Sequence, residues 1–323
     1  AGDAPTAEDL AENGIEIQFT DDIKAKAQEL SYSPLRIYEW VRNNIEYAPT
    51  YGSIQGADQC LQSRICNDTD TASLLIALLR VSGVYSHYEY STIEIPIEKA
   101  MNLVGGVTDP KMAGTILATN GIPVTLMKTS GGTYKAVQLE HVYVRARIDY
   151  IPSRGAVHKQ GDTWVPLDPS YKQYTYTQGI DIKTAVPFDA QALADQIKAT
   201  ATINETEGYV TNVNSALVQQ TMQDYQTQVQ NYINQNYPNA TVGDVLGKKE
   251  IIKQEFGILP ETLPYKTILV GLQFAQIPDS LRATISFSIP DPTGMSAGLS
   301  YSTSLPQIAG KKITLSFSPA TAN

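Results

Sequence analysis

Between Thr71 and Ser82 the chain reads Thr-Ala-Ser-Leu-Leu-Ile-Ala-Leu-Leu-Arg-Val-Ser, apolar on nearly every side of a helix. A helix patterned this way belongs in a core rather than on a surface. Asp68 and Asp70 precede it, where negative charge suits the helix dipole and free N–H groups need acceptors, and Gly83 closes it. A second helix is predicted from Ser33-Pro34, a cap followed by a first-turn proline, with Ile37, Trp40 and Val41 at helical spacing and Asn43-Asn44 as its end. Ile23 to Leu30 reads as a shorter helix. Ile15-Glu-Ile-Gln-Phe19 alternates as a strand does, and Ile45 to Tyr47 is a short extended piece.

Further along, Tyr88–Ile95, Glu140–Ile148 and Trp164–Leu167 are strand-like, the last closed by Asp168-Pro169. Residues 97–120 read as two short helices around Gly105-Gly106 and Asp109-Pro110, and Gly131-Gly132 marks a hairpin turn. Then the pattern changes. Val218, Met222, Tyr225, Val229 and Tyr232 recur at intervals of four and three, predicting a long amphipathic helix that ends near Asn236-Tyr237-Pro238. From about Leu263 alternation returns, in Ile285, Phe287 and Ile289 and again in Ile313, Leu315 and Phe317. The expected organisation is a lead-in over 1–32, a main domain over 33–185, a helical linker region over 186–262 and a β-rich module over 263–323, with no internal repeat.

Composition narrows the class of protein. At 323 residues there is room for two cores. A net charge of -9, with no basic stripe, argues against nucleic acid. No apolar run reaches the roughly eighteen residues a transmembrane helix needs. No signal peptide is visible, and the small, polar opening Ala1-Gly2-Asp3-Ala4-Pro5 is what removal of one would leave. Tyrosines outnumber phenylalanines 19 to 6, a style common in exported proteins. Cys60 and Cys66 are close in sequence: outside the cell such a pair reads as a small disulfide loop, inside it as two free thiols.

Three segments carry candidate chemistry: Cys66-Asn-Asp68-Thr-Asp70-Thr-Ala72 leading into the helix that ends at Arg80, Glu140-His141-Val-Tyr-Val opening a strand, and Trp164-Val-Pro-Leu-Asp168-Pro-Ser170 closing one. Thiol acyl-transfer needs a thiolate at a helix N-terminus, an imidazole to share its proton and a carboxylate or amide to orient the imidazole. In this order the segments resemble the transglutaminase-like superfamily of papain-like enzymes. The resemblance implies an α+β fold with a buried central helix against an antiparallel sheet, followed here by a long helix and a small β-rich module. It also implies His141 and Asp168 as catalytic residues. The family pattern Arg-x-Gly-x-Cys-x-x-x-Ala, anchored on Ala72 and Arg80, places Asp68 at the nucleophile, Cys66 at the glycine and Arg64 in register. A carboxylate cannot form a thioester.

Three readings of Cys66 stay open: a disulfide with Cys60, a free inert pair, or a nucleophile in a register shifted by two residues, served by His141 and Asp168. Asp68 is either a helix N-cap or a partner of His141 and Asp168 in an acid–base or cation-binding trio. No metal-ligand spacing supports the last, and no metal or other cofactor is expected. His87 is expected to be structural, and His158 to lie exposed in a polar loop.

A narrower resemblance rests on Ser33-Pro-Leu-Arg-Ile-Tyr-Glu-Trp-Val, Ile95-Pro-Ile-Glu-Lys-Ala, Gly121-Ile-Pro-Val, Leu263-Pro-Tyr-Lys and Ser304-Leu-Pro-Gln-Ile. These are similar to the transglutaminase-like region of large bacterial Rhs/YD-repeat surface proteins, where Gly-Asn-Asp often stands at the point held here by Cys66-Asn67-Asp68. The repeats themselves are absent. The resemblance implies a secreted or cell-surface location and a non-catalytic structural, assembly or binding role. Partners would be a protein or peptide ligand, or a neighbouring subunit or domain engaged through sheet edges, with self-assembly as one form. The alternative is an active cysteine acyl-transferase or amidase/protease using Cys66, His141 and Asp168.

Overall fold

The computed structural model describes residues 4–151, 153–156, 160–290, 298–314 and 316. It divides into two compact units, one of residues 1–174 with 251–323 and one of residues 175–250.

The first unit opens with α1 (Asp21–Glu29) and α2 (Pro34–Asn44), whose caps Thr20 and Ser33 accept from the N–H groups of Ile23 and Arg36. Next come β1 (Glu46–Tyr47), α3 (Gly56–Ser63) and β2 (Ile65–Cys66), then α4 (Asp68–Val81); β1 and β2 pair in parallel. Every residue of α4 from Asp68 to Arg80 is buried. Its cap is Asn67, which accepts from Asp70 N, so Asp68 is not the cap but the first helical residue. The elements β3 (Ser86–Pro96), α5 (Ile97–Leu103), α6 (Pro110–Thr119), β4 (Val124–Lys128), β5 (Tyr134–Ile148) and β6 (Thr163–Leu167) complete this stretch. The β4–β5 turn is tied by Thr129 N to Thr133 O and contains Gly132 at φ 84°.

The second unit holds most of β7 (Tyr174–Thr177) and β10 (Lys248–Ile251), whose end residues Tyr174 and Ile251 belong to the first unit, with α7 (Ile182–Ala185), α8 (Ala190–Thr200), β8 (Thr202–Asn204), β9 (Tyr209–Thr211), α9 (Ser215–Asn236) and α10 (Val242–Leu246) between them. None of its helices contains a buried residue. The chain then re-enters the first unit through β11 (Lys266–Phe274), β12 (Thr284–Ile289), β13 (Leu299–Ser304) and α11 (Leu305–Ile308).

The main sheet is antiparallel, ordered β11-β3-β5-β4, with β6 also on β5. Strand β5 is long enough to take two partners in succession on one side. Val124 pairs with Leu139 at one end of the gap, and Leu167 pairs with Val144 at the other. Residues 140–143 therefore have no strand partner on that side, and the first turn of α4 fills the gap: Val142 N donates to Asp68 Oδ2 at 2.8 Å. A buried N–H left by the ladder must find an acceptor, and here it is a carboxylate.

Two expectations differ in detail. Ile15 to Phe19 forms no strand, because Asn13 Oδ1 gathers the N–H groups of Ile15, Glu16 and Ile17 and curls the backbone around it. The segment read as a separate module from 263 instead sends β11 to the edge of the main sheet, where Thr267 faces Ile93 and Phe274 faces Tyr88; only β12 and β13 form a hairpin of their own. The expected alternation at Leu315 and Phe317, and His158, lie outside the described residues.

Candidate functional site

His141 lies on β5 in the gap between β4 and β6, Asp68 opens α4, and Asp168 follows β6. The fold brings all three together. His141 Nε2 is 2.8 Å from Asp168 Oδ2, and its Nδ1 is 3.2 Å from Asp68 Oδ2. The second contact is an ion pair without hydrogen-bond alignment, and the same carboxylate oxygen also accepts from Val142 N. The site is closed: His141 and Asp168 are each 2% exposed and Asp68 8%.

Each carboxylate is fixed independently of the histidine. Asp68 Oδ1 accepts from Thr69 N at 2.8 Å. Asp168 Oδ1 accepts from Ser170 N at 2.8 Å and Ser170 Oγ at 2.6 Å, while its Oδ2 accepts from Tyr265 Oη at 2.7 Å. Tyr265 also packs edge-on against the imidazole, with ring centres 5.8 Å apart.

Burial alone would lower the His141 pKa, but the charge and hydrogen bond of Asp168, and then Asp68, push it up to about 10. Burial likewise works against the Asp168 carboxylate; the His141 charge and hydrogen bonds from His141, Ser170 and Tyr265 more than offset it and hold that group at about 2. At neutral pH the ring is thus an imidazolium between two carboxyl groups. With both nitrogens protonated it has no lone pair with which to accept a proton, as a general base must.

Cys60 and Cys66 are joined in a disulfide that ties α3 to β2, and neither cysteine is free. Of the three readings of Cys66, this is the first. Asp70, in the first turn of α4, serves the start of α3: its Oδ1 accepts the N–H groups of Ile54, Gln55 and Gly56 at 2.9–3.1 Å. Burial raises its pKa to about 7 despite those three bonds, with Asp68 adding to the rise. His87 belongs elsewhere, 3.2 Å from Asp9 Oδ1 and tilted on Trp164 at 4.4 Å. Among the described residues no group of three or more His, Cys, Asp or Glu side chains is disposed to hold a metal ion.

Sequence reasoning missed Ser170 as a partner of Asp168, and Tyr265 as its second donor. Ser170 stood inside the Asp-Pro-Ser motif and Tyr265 inside Leu263-Pro-Tyr-Lys, but nothing local links Tyr265 to a carboxylate almost a hundred positions earlier.

A helix whose first turn enters a gap in an antiparallel sheet, facing a strand histidine and a following aspartate, defines a mixed helix-and-sheet domain with a triad-like site. Residues 17–169 match the family model of the transglutaminase-like superfamily, so a transglutaminase-like domain is present. No curated protein and no solved structure matches the chain.

Proposed function

We propose that the transglutaminase-like domain is non-catalytic and serves a structural, assembly or binding role in a secreted or cell-surface protein, of the kind in which such a region accompanies Rhs/YD repeats in bacteria. One observation carries this reading. Where the family's nucleophile would stand, Asp68 is held by Thr69 N and Val142 N and faces an imidazolium. A carboxylate so engaged is a poor nucleophile toward an amide, and it could give only an anhydride, never a thioester. The disulfide supports an oxidising compartment, and no described helix is long and apolar enough to cross a membrane.

The partner side of the proposal rests on β11. It is the edge strand of the main sheet, with Leu269, Val270 and Leu272 each more than half exposed. An open, apolar edge is where an added strand from a ligand or neighbour pairs.

The test is intact mass after iodoacetamide treatment of native, unreduced protein, run beside amine incorporation into a glutamine donor peptide. No adduct and no incorporation are expected. A fast adduct formed below neutral pH, abolished in Cys66→Ala, would overturn the reading in favour of the cysteine enzyme.

A further inference from the structure

A cavity of about 290 Å³ lies within the first unit and is walled in part by Asp168 itself. Its wall contains three cationic residues, Arg42, Lys99 and Lys172, and three aromatic ones, Tyr38, Tyr171 and Phe256. The one acidic residue of the wall is Asp168, and its oxygens are already committed to His141, Ser170 and Tyr265. In a chain of net charge -9 this is a concentration of positive charge against the overall sign.

Arg42 is the telling residue. It is 5% exposed and forms no close ion pair among the described residues; Asp168 acts on its charge only through space. Its Nη1 donates to two neutral acceptors, Asn43 Oδ1 at 3.0 Å and Ile252 O at 3.1 Å, and its Nε and Nη2 have no protein acceptor among the described residues. A buried guanidinium without a hydrogen-bonded ion-pair partner is costly, and its planar fork of N–H groups matches a carboxylate in two-point contact. Lys172, also buried, donates to Ile45 O from the same wall, and Lys99 stands exposed at the rim. Tyr38 and Phe256 meet edge to face at 5.3 Å and present apolar surface beside the cations. The volume lies at the small end of the range for ligand sites, which limits the occupant to a compact molecule or one terminal residue of a chain.

We propose that this cavity binds a small organic carboxylate, an apolar body with one anionic head, with Arg42 as the ligand's counter-ion and Lys99 drawing it in from solvent. The site adjoins the triad at Asp168, but Arg42 makes no hydrogen bond to Asp68, His141 or Asp168, so binding there does not depend on the chemistry at Asp68. The same head group is offered by a free acid and by the C-terminus of a peptide.

Isothermal titration of the full chain at low salt distinguishes these. The probes are 3-phenylpropionate, its amide 3-phenylpropionamide, inorganic phosphate, and the dipeptide N-acetyl-Ala-Phe with a free or amidated end. Saturable binding of phenylpropionate assigns the site to free acids; binding of the dipeptide acid alone assigns it to chain ends; both support the proposal. Each amide is expected to bind weaker by about tenfold or more, as is phenylpropionate to Arg42→Gln. Lys99→Gln should weaken binding by about threefold. Should Arg42→Gln lose cooperative unfolding, the exposed Lys99→Glu decides, with a weakening of about tenfold expected. The proposal is overturned if no carboxylate saturates, if the amides bind equally, if phosphate competes as well as the organic acids, or if the folded variants bind unchanged.

Discussion

Helices α4 and α9 begin alike, each capped by an asparagine whose side chain accepts from a backbone N–H three residues on, and their fates in the fold are opposite. Over 14 residues α4 is buried from Asp68 to Arg80; over 22 residues α9 has no buried residue. The difference lies in the sides of the helix, not its ends. On α4 apolar residues surround the axis, so three helices and a sheet can close on it, whereas α9 carries one stripe in which Met222 is still 48% exposed. A capped, periodic segment guarantees a helix; what packs on it decides whether its first turn can hold a buried ion cluster. Only a surround like that of α4 can keep three ionisable groups dry.

The sharpest way to break this contrast is Asp168→Ala. It leaves a buried His141 facing Asp68 alone, and should cost about 3–5 kcal/mol in urea unfolding of the first unit. Next, Leu75→Ala in the middle of α4 should cost about 2–5 kcal/mol by opening a cavity; a cost near that of a surface change would show that α4 is less tightly packed than its burial implies.

The pH profile comes third. His141 has its folded pKa raised to about 10, so its contribution is fully present below its ordinary value near 6.5 and is lost as pH rises through about 10. Asp168, held at about 2, contributes above the ordinary carboxylate value of 3.8 and loses that contribution as pH falls through about 2. Asp70 is raised, to about 7, so it weakens the fold as pH climbs from 3.8 to about 7 and not beyond. Between pH 7 and 9.5 the decline therefore belongs to His141, with a slope of up to about 1.4 kcal/mol per pH unit. A flat profile there, or one that is unchanged in His141→Gln, contradicts the ion cluster.

Replacing both Cys60 and Cys66 with alanine should cost about 2 kcal/mol, the modest value for so short a loop. Last, Met222→Ala on α9 should change stability by under about 0.5 kcal/mol. A larger loss would mean that α9 is covered in solution by a partner, and sedimentation at rising concentration would reveal it.

What was legible in the sequence follows the same division between local and distant causes. Ser33-Pro34 announced α2 because cap and proline act within one turn, and the four-and-three spacing of Val218 to Tyr232 fell within α9. Helix α3 went unseen, since Ala57, Cys60 and Leu61 are too few to make a stripe, although the fold buries them. Ile15 to Phe19 alternates well, but a single asparagine side chain outbid any strand partner for its N–H groups. At the site, the resemblance to the family pointed to Asp68, His141 and Asp168, and the two carboxylates lie within 3.2 Å of His141. The gap in β5 that admits Asp68, and the tyrosine that caps Asp168, depend on pairings made far along the chain, and no local pattern encodes those.

Arg80 makes this dependence concrete. Its guanidinium donates to the carbonyls of Ala11, Ser86 and Ala275, stitching together the start of the first unit, the head of β3 and the segment after β11. On a ribosome, Ala11 and Ser86 emerge early, while Ala275 follows only after all of residues 175–250 has been made. Until then the outer edge of β3 is open and one carbonyl of the clasp is missing. The nascent chain is therefore committed to a wait, during which a half-built sheet must be kept from pairing with its neighbours.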